Sequence, residues 1–215
     1  MATLASSTEM LVFRNASQLL DSLGDVPPDR VLLTPPPGTV SGDFYDSIDG
    51  RVDDRLVELV SGTLVEKPVG YLESQIAVQI AFLLVKHVKD NKTGGRVAGA
   101  DGMLRMSGGN IRMPDVSWTA PDDLNLDDQR PAPQQPPTLA VEVISESNTK
   151  REIEIKVGEY FASGCKLAWM VHPIEQAVDV YTAANESTRL VAADKIDGGT
   201  VLLGFQTKVA DFFDV

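Results

Sequence analysis

The sequence predicts an α/β fold, a mixed β-sheet flanked by helices, with an N-terminal extension before the core and a β-rich segment after it. Three observations carry this expectation. Short β-rich runs are separated by two segments of helical length, Tyr71 to Lys89 and Lys150 to Ser163. Leu139 to Ser145 is nearly continuous in apolar residues, the pattern of a strand buried on both faces. No phosphate-binding glycine loop of either standard spacing is present, which argues against a doubly wound nucleotide-binding unit.

A length of 215 residues, 43% of them hydrophobic, suits one domain with a full core. Residues 1–50 read as an extension: Asn15 or Ser17 can cap a short helix over residues 14–22, after which Pro27-Pro28 and Pro35-Pro36-Pro37-Gly38 interrupt regular structure. The core domain, residues 51–215, begins with Leu56 to Val60 and Thr63 to Val65, two β-rich runs joined by Ser61-Gly62 as a hairpin turn. The helix from Tyr71 has an apolar centre too broad for a surface helix, so it packs between other elements. Ile111 to Thr119 reads as a strand opening at Pro114-Asp115, Pro114 marking a strand start or edge. A proline-rich acidic loop from Pro121 to Pro137 leads to the buried strand at Leu139. The second helix stops at Gly164, Leu167 to Val171 resumes as a strand, and Ala177 to Tyr181, Thr188 to Ala192 and Val201 to Leu203 complete the β-rich tail.

Composition narrows the chemistry. Cys165 is the only cysteine, and His87 and His172 are the only histidines, so a multi-thiolate zinc site is excluded and any metal must rest on oxygen ligands. A net charge of −12 argues against capture of nucleic acid by a broad basic surface. The apolar runs fall short of the roughly 20 residues that cross a bilayer, and no secretion signal is evident, so a cytoplasmic location without membrane contact is expected.

Strand periodicity places Glu142 on the same face as Ala140 and Ile144, within an otherwise apolar strand. A buried carboxylate takes up a proton or finds a cation, either a metal ion or an arginine such as Arg112. Asp115 beside Pro114 can shape a turn, Lys156 can form an i,i+4 pair with Glu152, and Glu73 can answer the dipole of its helix. Singly, each of these three has an ordinary structural explanation.

As a set they do more. Pro114-Asp115, then Val141-Glu142-Val143-Ile144-Ser145, then a helix bearing Lys156 resembles the PD-(D/E)XK nucleases. More narrowly, Glu58-Leu59-Val60-Ser61-Gly62, Arg112-Met113-Pro114-Asp115-Val116, Val141 to Ser147, Glu159 to Gly164 and Trp169-Met170-Val171 are similar, in order and spacing, to the Uma-type family of putative restriction endonucleases. The resemblance spans Arg55 to Phe213 and implies a restriction-endonuclease-like core. It implies Mg²⁺, with Mn²⁺ as a substitute, on Asp115 and Glu142, a water-positioning role for Lys156, and Glu73 as a further acidic group of the metal site. The strand lysine usual in the superfamily is replaced by Ile144, and the family's later strand is altered at Leu167 and His172.

The expected activity is metal-dependent hydrolysis of nucleic-acid phosphodiesters, DNA ahead of RNA. A non-catalytic nucleic-acid-binding or protein-interaction module on the same fold is the alternative, and an edge strand could pair two copies as a homodimer. Geometrically, Asp115 and Glu142 should converge at the edge of one sheet and Lys156 should point toward them. Arg105, Arg112, Lys150, Arg151 and Lys156 should form a basic rim.

Overall fold

A computed structural model describes residues 11–215. The chain opens with α1 (Ala16–Leu23) and α2 (Gly42–Ser47), followed by β1 (Arg51–Val52), β2 (Arg55–Val60) and β3 (Thr63–Glu66). Asn15 caps α1 by accepting a hydrogen bond from the Gln18 N–H, and Gly24 ends it in the left-handed conformation at φ 82°. Between β2 and β3, Ser61 and Gly62 have φ of 50° and 68°, the pair of positive values that a tight two-residue hairpin requires.

Next come α3 (Tyr71–Asn91), β4 (Arg96–Ala98), β5 (Leu104–Arg105), β6 (Ile111–Arg112), β7 (Val116–Thr119) and β8 (Leu139–Val143). The run expected as one strand from Ile111 to Thr119 is two. Pro114 lacks an N–H for a ladder, and the chain uses Met113-Pro114-Asp115 to cross from one sheet to another. Helix α4 (Lys150–Ala162), capped by the Thr149 side chain, then leads to β9 (Leu167–His172), β10 (Ala177–Ala183), β11 (Glu186–Val191), β12 (Lys195–Asp197) and β13 (Gln206–Lys208). Val201 to Leu203 is a turn rather than the expected strand. Only Leu202 is buried there, and the strands of this tail lie on either side of it.

The larger sheet has six strands in the order β11-β10-β9-β8-β7-β4. Its β8–β9 pair is parallel and the others are antiparallel, so the sheet is mixed as expected. Alternation along β8 sends Leu139, Val141 and Val143 to one face, where Ile76, Ile80 and Leu84 of α3 pack with Trp169, Phe205 and Phe212. The opposite face carries Ala140, Ala168 and Met170 against Val157 and Tyr160 of α4. Glu142 belongs to this second face. The smaller sheet follows the order β1-β2-β6-β5, with β3 paired to β2.

The segment read as an extension is packed into the structure from α1 onward. Leu19, Leu23 and Val26 lie against Val60 and Val65, while Leu32, Val40 and Tyr45 share a core with Val57, Leu59, Leu64 and Ile111. Arg30 reaches Glu152 at the start of α4, with hydrogen bonds of 3.0 and 2.8 Å. Among the described residues, no helix is long and apolar enough to cross a membrane.

Candidate active site

Where the two sheets meet, the crossover before β7 and the C-terminal end of β8 run side by side. Val116 pairs with Val141, so Asp115 falls opposite Glu142 as the ladder continues. Both belong to interior strands or their extensions, and the convergence lies at strand ends rather than on an edge strand. Asp115 Oδ2 accepts the Val143 N–H at 2.7 Å, which fixes its carboxylate over β8. Asp115, Glu142, Lys156 and Glu73 all line one cleft of about 100 Å³, together with Lys67, Ser145 and Asn148.

Glu142 is 6% exposed. Its Oε1 accepts a hydrogen bond from the Tyr160 hydroxyl and lies 3.5 Å from Lys156 Nζ, whereas Oε2 accepts no hydrogen bond among the described residues. Burial raises its pKa; Lys156 opposes the rise and the neighbouring Asp115 charge adds to it. The arginine alternative for this carboxylate does not hold. Arg112 is buried between Glu58, at 3.0 Å, and Glu159, at 2.7 Å.

Lys156 is buried too and is not the surface partner of Glu152, which is held by Arg30. Its ammonium lies 3.3 Å from Glu58 and 3.5 Å from Glu142. Burial alone would lower its pKa, but Glu142 and Glu58 together outweigh this and raise it, favouring the ammonium form. Glu58 accepts hydrogen bonds from the Met113 N–H and from Arg112. Burial pushes its pKa up; Lys156, Arg112 and the Met113 N–H outweigh that and hold it at about 2. Glu73 sits in the first turn of α3, half-buried, with its carboxylate folded against Gly70. Glu73 lines the same cleft as Asp115 and Glu142, and among the described residues no three His, Cys, Asp or Glu side chains gather closely enough to hold a metal ion.

Sequence reasoning missed Lys67, Glu58 and the direct part played by Tyr160. Lys67 follows β3, is 4% exposed, and approaches Asp115 Oδ1 at 2.9 Å. Nothing in its local sequence marks it, because its partner comes from a crossover 48 residues later. Glu58 did carry a signal: like Glu142, it is a carboxylate inside an apolar strand. The expected basic rim is absent. Arg105 is buried on Asp46, Arg112 is buried as described, Arg151 pairs with Asp21 and Asp25, and exposed Lys150 lies nearest Glu154. Of the five, only Lys156 lines the cleft. His172 is bound to Asp179 at 2.8 Å, outside the cleft lining.

The Uma2 family model, described as "Putative restriction endonuclease", matches residues 43–210. The chain belongs to the Uma2 family. No curated protein matches this Uma2 chain. A solved structure from Anabaena variabilis ATCC 29413, described as a putative nuclease belonging to DUF820, is similar with a TM-score of 0.69 at 16% identity, covering 81% of this chain and 97% of that one. The Uma2 chain therefore has the restriction-endonuclease-like fold, and its cleft is built from motifs at Pro114-Asp115, Glu142 and Lys156 that lie inside the matched span.

Proposed function

We propose that this cleft is the active site of a Mg²⁺-dependent endonuclease that hydrolyses DNA phosphodiesters. The observation that carries the proposal is the Glu142 carboxylate. It is buried, one of its oxygens accepts no hydrogen bond among the described residues, and it faces the same small cleft as a second carboxylate. Two acids so placed repel each other, and a divalent cation relieves that cost.

The donor set fits Mg²⁺ bound in its common manner, by one or two carboxylates with water and substrate phosphate completing the shell, rather than in an all-protein cage. Asp115 and Glu142 would hold the ion, which Mn²⁺ can replace, and Glu73 at the cleft wall would act through water. When bound, the ion supplies positive charge to the phosphate and lowers the pKa of coordinated water. Tyr160 donates to Glu142 Oε1 and leaves Oε2 for the cleft. Lys156, kept protonated by its two carboxylates, offers positive charge and N–H donors to a phosphate oxygen or to water. Its place between two carboxylates suits it to stabilising charge rather than to general-base catalysis. Hydrolysis adds water across the phosphodiester, one product retaining the phosphate and the other leaving with a hydroxyl.

A second reading, a non-catalytic interaction module, is favoured by one observation: Asp115 and Glu142 each have a lysine partner within the protein. The two readings separate in a cleavage assay on single- and double-stranded DNA and RNA with Mg²⁺ or Mn²⁺. Wild-type protein should cut DNA, and Glu142→Gln should lose cleavage while keeping its fold. Equal traces of cleavage in both preparations, with no metal binding by calorimetry, would leave the module reading in place.

A further inference from the structure

Lys67 is a second lysine in the cleft, outside the motifs that define it, and its surroundings are unusually complete. Its ammonium lies 2.9 Å from Asp115 Oδ1 and donates to the main-chain carbonyls of Ala100, at 2.8 Å, and Met113, at 2.6 Å. An ammonium has three N–H donors, so all three are occupied. The side chain is almost wholly buried, and its acceptors come from the crossover before β7 and the loop after β4. Swinging it away from Asp115 would strand two carbonyls and a carboxylate together, a cost of several hydrogen bonds at once. Lys67 is therefore a fixed charge and not a mobile substrate contact.

We infer that Lys67 takes the place a second metal ion would need, so that the cleft binds a single divalent cation. This rests on the assignment of Asp115 and Glu142 as metal ligands. A two-ion site needs an acid that bridges both ions, about 3.5–4 Å apart, and further oxygen ligands for each. Asp115 is the acid placed to bridge. One of its oxygens already holds the Lys67 ammonium and the other already accepts the Val143 N–H. Each keeps capacity for one more partner, but the position left on Oδ1 lies against the Lys67 ammonium, which leaves room for one ion shared with Glu142. A second ion would have to sit beside the Lys67 ammonium, and among the described residues Glu73 is the only other acid lining the cleft and no three-acid cluster is present to hold it. Repulsion between a monovalent and a divalent charge a few ångström apart is large in a partly dehydrated cleft. Lys67 thus sets the metal stoichiometry, and through it the kind of hydrolysis available: one ion, with Lys156 supplying the remaining positive charge.

The test is Mn²⁺ binding to the full chain, followed by isothermal titration calorimetry and by electron paramagnetic resonance, with no substrate present. Wild-type protein should bind one Mn²⁺ per chain and show no exchange-coupled two-ion signal. Lys67→Met removes the charge while keeping much of the side chain's volume. It should either bind a second ion or bind the first about tenfold more tightly, as expected when a like charge is removed nearby. Two ions in wild-type protein would overturn the inference, and so would a folded Lys67→Met that binds one ion with unchanged affinity. Both outcomes would leave the metal-dependent reading of the cleft standing. Absence of any Mn²⁺ binding to wild-type protein would instead overturn that reading, and this inference with it. Should Lys67→Met fail to fold by circular dichroism, the wild-type stoichiometry decides alone, one ion sustaining the inference and two ending it.

Discussion

Lys156 shows how much of the site's chemistry is set by neighbours a few ångström away. Held between Glu58 and Glu142, it would contribute charge and not proton abstraction to the proposed reaction. Lys156→Met should therefore lower kcat by about 100-fold or more, with KM little changed, as for loss of a group acting on the transition state. Steady-state cleavage kinetics check this, and a change confined to KM would reassign Lys156 to binding. Glu58 gives a prediction in pH. Its carboxyl is lowered from 4.5 to about 2 in the folded protein, so the stability it contributes is present above 4.5 and lost as pH falls toward 2. Glu58→Gln should be less stable than wild type at pH 7 and should lose less on acidification to pH 3, as read by urea denaturation. Glu142 has the opposite sign: its raised pKa favours the native state in acid, and that benefit fades as pH rises through the folded value. Glu142 was legible in the sequence because a charge at period two inside an apolar strand is conspicuous. Lys67 was not, since a lone lysine beside Pro68 gains meaning only when the crossover brings Asp115 to it.

Elements with strong local signals formed where expected: the Ser61-Gly62 hairpin, both long helices, and the paired strands β8 and β9. The failures were at Ile111 to Thr119 and Val201 to Leu203, where apolar content suggested strands but sheet membership and turn geometry are decided by tertiary contacts. The segment containing α1 and Arg30 also hid its attachment. Gly24 packs so tightly on α4 that an added Cβ would lie 2.7 Å from Glu152 Cα, at a φ that already disfavours side chains, and Thr149 donates to the Gly24 carbonyl. A few residues on, Arg30 grips buried Glu152. Arg30→Met should destabilise the protein by about 3–5 kcal/mol, because it strands Glu152, while Arg30→Met with Glu152→Met should recover most of that loss. Urea unfolding of the two variants and wild type measures it. If the single and double variants were equally unstable, packing of the arginine stem would be the larger factor.

Over the whole molecule, a charge of −12 and the burial or pairing of the basic residues once expected around the cleft mean that a polyanion meets little attractive surface. DNA binding with Ca²⁺ in place of Mg²⁺ should accordingly show a shallow salt dependence, with log affinity falling no more steeply than about −2 per log unit of salt, and should vanish without the ion. Fluorescence anisotropy over a salt series tests this; a slope near −6 would reveal a basic surface elsewhere. The residues of the cleft come from both sheets: Lys67 follows a strand of the smaller one, Glu142 stands in the larger, and Asp115 lies on the crossover joining them. The Val143 amide spans that joint, since its hydrogen is given to the Asp115 side chain. Its solvent-exchange rate consequently reports the parting of the crossover from β8 at the cleft. If that parting precedes global unfolding, Val143 will take up deuterium sooner than the amides in the middle of β8, and the protein will lose its chemistry under mild denaturant while most of its secondary structure persists.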